Sequence, residues 1–315
     1  MADVQFKSVL DLIKVFPDEK SCHQYLGAKR WSDGVIICPH CTHEEAYVFS
    51  DGIRYKCTKC QLKFTAKTGT FMDSSKLPTI KWIYAMYLIL HKKGISSIQL
   101  GKDIGVTQKT AWFVLQRIRF ALGNESDEML DGTVEIDETF VGGKSKNKHR
   151  DKRPKYNPGR EFPDKIPVIG MVRRSTINNR GDVVPSYVKA VAIDNVQMLT
   201  ITKAVRKYVK HGAHLMGDGF VGYRVLENTY KLSSVDHSRK WYVDGDTHTN
   251  TIENFWSQFK KGTISTYHKM TRKHLNKYVQ EFAFKYNYRH LSLQGQIDTI
   301  IGNMVCRIKY KELIA

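Results

Sequence analysis

The stretch Thr133–Phe140 (TVEIDETF) decides the fold of the second half of this chain. Apolar and polar residues alternate along it, so Val134 and Ile136 share one face, and this period of two predicts a β-strand. Asp137 falls near the end of that strand. Most single acidic residues are solvated at a protein surface, but a position at a strand end makes Asp137 a candidate for a functional site.

The segments that follow this strand predict an α/β domain in the order β-β-β-α-β-α-β-α. Further strands are expected at Ile166–Arg174, Val184–Ile193, His214–Gly217 and Lys231–Val235, and helices at Asn195–Val209, near Val221–Asn228 and at Asn250–Lys261. In the last helix, Ile252, Phe255 and Phe259 form the expected core face, while Glu253, Trp256 and Lys260 lie along another face.

Three acidic residues occupy marked positions in this order. Asp137 is on the first strand, Asp218 follows the fourth strand between two glycines, and Glu253 is on the last helix. Phosphodiester cleavage commonly uses two divalent ions about 3.5–4 Å apart, and carboxylates from separate elements can hold them. Oxygen ligands of this kind suit Mg²⁺ or Mn²⁺. The acids therefore predict a two-metal site, in which the sequence context of Glu253 is less distinctive than that of the two aspartates.

Two cysteine pairs predict a second metal site. Cys38-Pro-His-Cys41 and Cys57-Thr-Lys-Cys60 are separated by fifteen residues that fit one β-hairpin. Four thiolates at this spacing suit one structural zinc ion in a zinc ribbon, with iron as the alternative metal. His40 and His43 are interpreted as bystanders because four thiols complete the shell. Cysteine use of this kind, with Cys22 and Cys306 isolated, favours a reducing compartment.

Residues 78–122 predict a helix-turn-helix. A first helix begins at Pro78, a short helix covers Ser96–Ile104, and a turn at Gly105-Val106 leads to Thr107, which can cap the helix Gln108–Leu122. An ordinary helical hairpin has a similar pattern. If the motif binds DNA, the side chains at the start of the last helix face the base edges, namely Gln108, Lys109 and Thr110.

The charge balance favours a polyanionic partner. Fifty Lys and Arg residues against 31 Asp and Glu residues leave a net charge of +19, which fits nucleic acid better than an acidic membrane surface. The most apolar stretch, WIYAMYLIL at residues 82–90, is shorter than the roughly 20 residues that a membrane span needs. The N-terminus has no signal peptide pattern. We therefore expect a cytoplasmic, nucleoid-associated protein without a membrane partner.

A basic segment at residues 142–165 separates the first two predicted strands of the α/β domain. It contains nine Lys or Arg residues and almost no aliphatic ones, which is typical of a long loop. The loop is interpreted either as merely solvated or as a phosphate-contacting element, in which Lys144, Lys146 and Lys148 are the candidate DNA-binding residues.

Several of these motifs together resemble a family of bacterial insertion-sequence transposases related to eukaryotic Merlin elements. The matching segments are VEIDETFVGGK (134–144), LMGDGF (215–220), the cysteine pairs and the long C-terminal run HTNTIENFWSQFKKGTISTYHKMTRKHLNKYVQEFAFKYNYR (248–289). The resemblance covers about residues 20–290. It implies an RNase H-like catalytic core of the DDE superfamily, preceded by a zinc ribbon and a helix-turn-helix.

The resemblance also implies roles for single residues. Asp137, Asp218 and Glu253 would form the metal-binding triad, and Lys260, two helical turns after Glu253, would reach a DNA phosphate beside Lys261. Asparagine is an alternative third ligand in this family, which leaves Asn250 and Asn254 open. His237 and His248 are interpreted as hydrogen-bonded structural residues near the site. Trp256 is interpreted either as a packed aromatic residue or as a platform for an unpaired base.

These inferences give a predicted domain plan and function. The plan is a helical segment at 1–30, a zinc ribbon at 31–76, a helix-turn-helix domain at 77–125, a catalytic domain at 130–290 and a helical tail at 291–315. The predicted activity is metal-dependent cleavage at transposon ends and transfer of the 3′-hydroxyl into target DNA, by a homodimer or larger assembly. The alternatives are a nuclease of the same fold without strand transfer and a domesticated DNA-binding regulator.

Overall fold

A computed structural model of the protein describes residues 6–124, 128–143, 149, 151, 165–235 and 243–314. The helices are α1 (Val9–Val15), α2 (Glu19–Arg30), α3 (Thr79–Ile89), α4 (Ser97–Asp103), α5 (Gln108–Leu122), α6 (Met198–Tyr208), α7 (Asn250–Gly262), α8 (Arg272–Asn287), α9 (Leu293–Gly302) and α10 (Tyr310–Ile314), with a 3₁₀ helix at Val221–Asn228 and a π-helical turn at Thr263–Tyr267. The strands are β1 (Ala46–Val48), β2 (Arg54–Cys57), β3 (Lys63–Thr65), β4 (Thr133–Val141), β5 (Ile166–Arg173), β6 (Thr176–Ile177), β7 (Val183–Val184), β8 (Tyr187–Ala192), β9 (His214–Gly217) and β10 (Lys231–Ser234).

The chain folds into two compact units. One contains the described residues up to 124 together with 288–314, and the other contains those between 128 and 287. The first unit is helical apart from the antiparallel three-stranded sheet β1-β2-β3. The C-terminal helices α9 and α10 thus belong to the same unit as the cysteine pairs, which the sequence did not predict.

A buried arginine fixes the C-terminal segment within the first unit. Arg117 on α5 donates to the carbonyl oxygens of Phe71 and Asp73 at 3.0 and 2.8 Å, and to that of Ile308 at 3.1 Å. Arg117 is only 6% exposed, and its hydrogen bonds satisfy carbonyl groups that burial would otherwise leave without a partner. One side chain therefore joins the segment after the ribbon, helix α5 and the C-terminal segment.

Helices α4 and α5 meet at a tight turn. Ser96 caps α4 by accepting a hydrogen bond from the Gln99 amide at 3.1 Å, and Thr107 caps α5 by accepting one from the Thr110 amide at 3.2 Å. Gly105 between the helices has φ +62°, a conformation that glycine adopts without steric cost. The caps and the glycine explain why both helices lie where the sequence pattern predicts them.

The second unit is built on a mixed five-stranded sheet in the order β10-β9-β4-β5-β8. β4 is the central strand, antiparallel to β5 and parallel to β9. One face packs Val134 and Ile136 against α6 and the 3₁₀ helix, and the other packs against α7 and α8. The mixed α/β character of this unit is confirmed, and its strands follow one another along the chain in the predicted order.

Three local details differ from the sequence prediction. A β6–β7 hairpin precedes β8, so β8 begins at Tyr187 rather than at residue 184. Helix α6 begins at Met198, because the Asn195 side chain accepts hydrogen bonds from the Gln197 amide at 3.0 Å and the Thr200 hydroxyl at 2.8 Å and so forms a turn before the helix. The segment at Val221–Asn228 is a 3₁₀ helix. Among the helices of the described ranges, none has the length and apolar character required to cross a membrane.

Candidate functional site

The two cysteine pairs meet in the first unit as a compact metal site. The four sulfur atoms of Cys38, Cys41, Cys57 and Cys60 all lie within 4.8 Å of one another. The Cys38–Cys60 and Cys41–Cys57 sulfur distances are 3.7 and 3.6 Å, close to the edge of roughly 3.8 Å expected for four thiolates around zinc at about 2.3 Å. The donor set and its geometry therefore fit one tetrahedral zinc ion.

Neighbouring residues support this cysteine arrangement without joining it. Backbone amides approach two of the sulfurs, from His40 to Cys38 at 3.4 Å and from Cys60 to Cys57 at 3.5 Å. The His40 ring packs edge-on against Phe64, so this histidine is a bystander as predicted. In the described part of the chain, Cys22 and Cys306 lie outside the cysteine cluster.

Asp137 and Asp218 lie on adjacent parallel strands of the second unit. The register pairs Glu135 with Met216, so both aspartates lie two residues beyond the same paired position. Asp218 directly follows β9, where the Phe220 amide donates to its carboxylate at 3.1 Å. Both aspartate residues are half-buried. The register of β4 and β9 therefore brings the first two predicted acids to the same level of the sheet, with Asp137 in the middle of β4 rather than near its end as predicted.

Electrostatics link Asp137 to the other predicted residues. Burial, the negative charge of Asp218 and then that of Glu253 together raise the pKa of Asp137 to about 7, while a backbone hydrogen bond at Glu138 and the charge of Lys260 oppose the shift. A cation that replaces the proton of a carboxyl group held among like charges stabilises the negative charge of that group. Asp137 is thus the centre of a negatively charged cluster with one lysine at its margin.

Glu253 and Lys260 are exposed side chains on α7. The hydroxyl of Thr249 donates to the Glu253 carboxylate at 3.1 Å, in the first turn of the helix. Among the described residues, only the four cysteines form a group of three or more metal-ligand side chains within 4.8 Å. The carboxylate oxygens of the three acids therefore do not all lie within 4.8 Å of one another, whereas the four sulfurs do.

The family comparison agrees with this geometry. The model described as ISXO2-like transposase domain matches residues 129–287, half of the chain, and includes all three acids. The chain belongs to the ISXO2-like transposase family. A transposase zinc-ribbon domain matches residues 17–63, which include the four cysteines. The protein is therefore an insertion-sequence transposase of the DDE type with an N-terminal zinc ribbon.

One relative also matches most of the length of the transposase. An "uncharacterized protein in transposable element ISH50" from Halobacterium salinarum (strain ATCC 700922 / JCM 11081 / NRC-1) is 28% identical over 284 residues, which cover 87% of this chain and 92% of the relative. The similarity therefore extends over both units.

Trp256 does not lie on the face of Glu253 and Lys260, so that prediction was wrong. It is 3% exposed and belongs to the core between the sheet and helices α7 and α8. The space for its ring comes from Gly170, since a Cβ atom there would lie 2.6 Å from the indole. Gly170 pairs directly with Asp137 across β4 and β5. The interpretation of Trp256 as a packed aromatic residue is therefore confirmed, and the residue holds α7 against the sheet beside Asp137.

The alternative third ligands have other partners in the transposase. The side-chain oxygen of Asn254 accepts a hydrogen bond from Gln258 at 2.8 Å. Asn250 is the first residue of α7, and its amide approaches the Nδ1 atom of His248 at 3.4 Å. His248 is hydrogen-bonded to Arg174, in agreement with a structural role. His237 lies outside the described residues.

The predicted DNA-binding residues fall into three groups. Gln108 and Lys109 are exposed at the start of α5, where the Gln108 amide group donates to the Ser97 hydroxyl at 2.8 Å, and Thr110 is half-buried beside Thr107. Lys260 and Lys261 are exposed on α7. The residues from the basic loop lie outside the described ranges, namely Lys144, Lys146 and Lys148.

Sequence reasoning missed one residue near the acids. Glu135 is fully buried and accepts hydrogen bonds from the backbone amides of Thr251 and Ile252 at 2.8 and 2.9 Å, at the start of α7. Arg174 donates to it at 2.6 Å. The alternation along β4 places Glu135 on the same face as Asp137, but that pattern does not reveal that the face is covered there.

Proposed function

We propose that the protein cleaves DNA at the ends of its element and joins the freed 3′-hydroxyl to target DNA, with divalent metal ions held by Asp137, Asp218 and Glu253. The observation that carries this proposal is the β4–β9 register, which places Asp137 and Asp218 at the same level of adjacent parallel strands. Burial and the charges of the other two acids also raise the pKa of Asp137 to about 7. Such a cluster of like charges in one site is a typical sign of metal binding or acid–base chemistry. Its location within the matched transposase domain favours phosphoryl transfer.

The three carboxylates would hold two Mg²⁺ or Mn²⁺ ions. The bound ions would lower the pKa of an attacking water or hydroxyl and stabilise the leaving oxygen. Asp137, at the centre of the sheet, would bind between Asp218 on one side and Glu253 on the other. Lys260 lies on the same helix as Glu253 and its charge reaches Asp137, so it would hold a phosphate of the DNA beside the reacting bond.

We further propose that the catalytic unit has an RNase H-like core. Strand β4 is central in the sheet: the pairs β4–β5 and β5–β8 on one side are antiparallel, and the pairs β4–β9 and β9–β10 on the other are parallel. This pattern supports the assignment. The first acid lies on that central strand and the second follows the adjoining parallel strand. The strand order and the acid positions are therefore both consistent with an RNase H-like core.

The first unit would recognise the terminal inverted repeats. Helices α4 and α5 with their short turn would act as a helix-turn-helix, in which Gln108, Lys109 and Thr110 contact base edges. The exposure of Gln108 and Lys109 at the start of α5 supports this role. The zinc ribbon, the basic loop and Lys261 would add phosphate contacts. Pairing of two transposon ends would require a dimer or a larger assembly.

The test is strand transfer by the purified protein with Mg²⁺ and a labelled duplex that carries the element's own terminal repeat. Asp137→Asn, Asp218→Asn and Glu253→Gln should each lose at least about a hundredfold in rate while repeat binding remains. Glu227→Gln is the control, since Glu227 is an exposed acid of the same unit on the 3₁₀ helix.

Other outcomes point to the alternatives. Cleavage without joined products would indicate a nuclease, and tight repeat binding without cleavage by the wild type would indicate a DNA-binding regulator. Activity that survives in Glu253→Gln would move the third ligand to Asn250 or Asn254.

A further inference from the structure

We infer that Glu135, together with Arg174 and His248, is a positioning site that fixes the start of helix α7 and thereby the orientation of Glu253. The inference rests on the proposed function, because it assigns a role in a metal site that Glu253 completes. Glu135 would not touch metal or DNA. It would act by joining the strand that carries Asp137 to the helix that carries Glu253.

Glu135 acts as the N-terminal cap of α7 from a distant part of the sequence. One carboxylate oxygen accepts from the backbone amides of Thr251 and Ile252, and the other accepts from the Thr251 hydroxyl at 2.8 Å. The first amides of a helix lack partners within the helix, and a negative charge there also interacts favourably with the helix dipole. The residue before the helix, Thr249, makes no side-chain cap of its own.

The distant cap changes what Thr249 can do. A threonine at this position ordinarily accepts a hydrogen bond from the second or third amide of the helix. Glu135 already occupies those amides, and the Thr249 hydroxyl donates instead to the Glu253 carboxylate at 3.1 Å. Glu135 therefore positions both the backbone that carries Glu253 and the hydroxyl that orients its side chain.

Arg174 completes the arrangement at the segment that leads into α7. It pairs with the buried Glu135 and also donates to the carbonyl oxygens of Asp246 and His248, at 2.7 and 2.8 Å. It donates at 2.8 Å to Nδ1 of His248 as well. Because an arginine side chain is always a donor, Nδ1 is the acceptor and the histidine proton resides on Nε2.

The connection between the two elements distinguishes this cluster from an ordinary buried ion pair. A buried ion pair by itself is weak evidence for stabilisation. Glu135 lies two residues before Asp137 on β4, and Thr251 lies two residues before Glu253 on α7. Any loosening of this link would displace one proposed metal ligand relative to another, since both ligands lie one short step from it.

The test compares Glu135→Gln with Glu281→Gln. Glu281 is a matched control because it is also fully buried in the same unit, where it pairs with Lys285 and accepts from the Tyr267 hydroxyl, away from the start of α7. The first readout is hydrogen–deuterium exchange of a peptide that covers residues 249–253, without metal or DNA. We expect about tenfold faster exchange of the Thr251 and Ile252 amides in Glu135→Gln and wild-type exchange in Glu281→Gln.

The second readout is Mn²⁺ binding, followed by electron paramagnetic resonance of the free ion. The dissociation constant should rise about tenfold in Glu135→Gln and remain unchanged in the control. Arg174→Lys, which keeps the charge but loses the fork of donors, should give a smaller change in the same direction and replaces Glu135→Gln if that variant does not fold.

Two results would overturn the inference: unchanged amide exchange in Glu135→Gln, or faster exchange without weaker Mn²⁺ binding. Faster exchange and weaker binding support it even if the wild type joins no DNA, in which case the proposed strand transfer fails alone.

Discussion

The cysteine site and the acid site differ in how each is assembled. The four sulfurs come from two short loops of one small ribbon and already lie within 4.8 Å of one another. The acids come from β4, the end of β9 and helix α7. Burial and the negative charges of Asp218 and Glu253 raise the pKa of Asp137. A closed site of local residues suits a metal that maintains structure, whereas an open site of distant residues suits metals that must also bind a substrate.

The largest effect is expected from a substitution that removes one ligand of the cysteine site. Cys41→Ser should release the metal and unfold the ribbon, because a ribbon with so small a core depends on a binding energy on the order of 10 kcal/mol. Zinc content by atomic absorption should fall from one ion per chain to none, and amide exchange of β1, β2 and β3 should become fast. Cys306→Ser, outside the cluster, should keep the ion, and retention of zinc by Cys41→Ser would refute a four-thiolate site.

A second prediction tests whether the acid site depends on the packing of helix α7 against the sheet, through a substitution that removes none of the three acids. Gly170→Ala places a methyl group 2.6 Å from the Trp256 ring and directly across from Asp137. Overpacking of this kind costs about 1–3 kcal/mol, and the displaced helix α7 should reduce strand transfer. Urea unfolding measures the stability. Gly302→Ala is the control because a Cβ atom at Gly302 would have no neighbour within 4 Å.

The third prediction concerns pH and the acid cluster. The pKa of Asp137 in the folded protein is about 7 against an ordinary value of 3.8, so between those pH values the folded chain holds a proton that the unfolded chain has released. The metal-free protein should therefore lose stability as pH rises from 4 to 7. Asp137→Asn should be more stable than the wild type at pH 8 by roughly 1–2 kcal/mol.

The measurement for this third prediction is thermal unfolding in the presence of a chelator. The advantage of Asp137→Asn should shrink as the pH falls and vanish below about pH 3, where the wild-type carboxyl is protonated in both states. An equal difference at both pH values would show that the substitution acts through packing instead of charge.

The smallest expected effect concerns the start of α5. Lys109→Ala should weaken binding to the terminal repeat only a few-fold and reduce the slope of log affinity against log salt by about one, if Lys109 contacts one phosphate. Gln108→Ala should instead reduce the preference for the repeat over unrelated DNA. Fluorescence anisotropy at several salt concentrations separates the two effects, and identical slopes for Lys109→Ala and wild type would exclude a phosphate contact.

Local signals explain which elements the sequence could predict. Helix α5 has the bounds expected from the Thr107 cap and its apolar period, and β9 has those expected from its flanking residues. The closeness of the cysteines likewise follows from their spacing. The sequence left the burial of Trp256 as one of two interpretations, because the space for its ring depends on the absence of a side chain at Gly170 in a strand distant in sequence.

The sequence also could not predict that helix α7 covers one side of β4, because this too depends on residues distant in sequence. Alternation placed Glu135 and Asp137 on one face, but only the tertiary structure shows that α7 begins over the first and leaves the second half-buried. The membership of residues 288–314 in the first unit was hidden as well, because it depends on hydrogen bonds such as that between Arg117 and Ile308. Sequence patterns report local periodicity, whereas these features depend on contacts between distant residues.

The bond from Arg117 to Ile308 has a consequence for the order of folding during synthesis. The ribosome must complete the whole sheet unit before it makes Ile308. Domains usually fold in the order of their synthesis, but the first unit here cannot complete its hydrogen bonds until residues 288–314 have been made. The residues of the acid cluster are therefore all synthesised before the zinc-ribbon unit receives the carbonyl partner that completes the Arg117 hydrogen bonds.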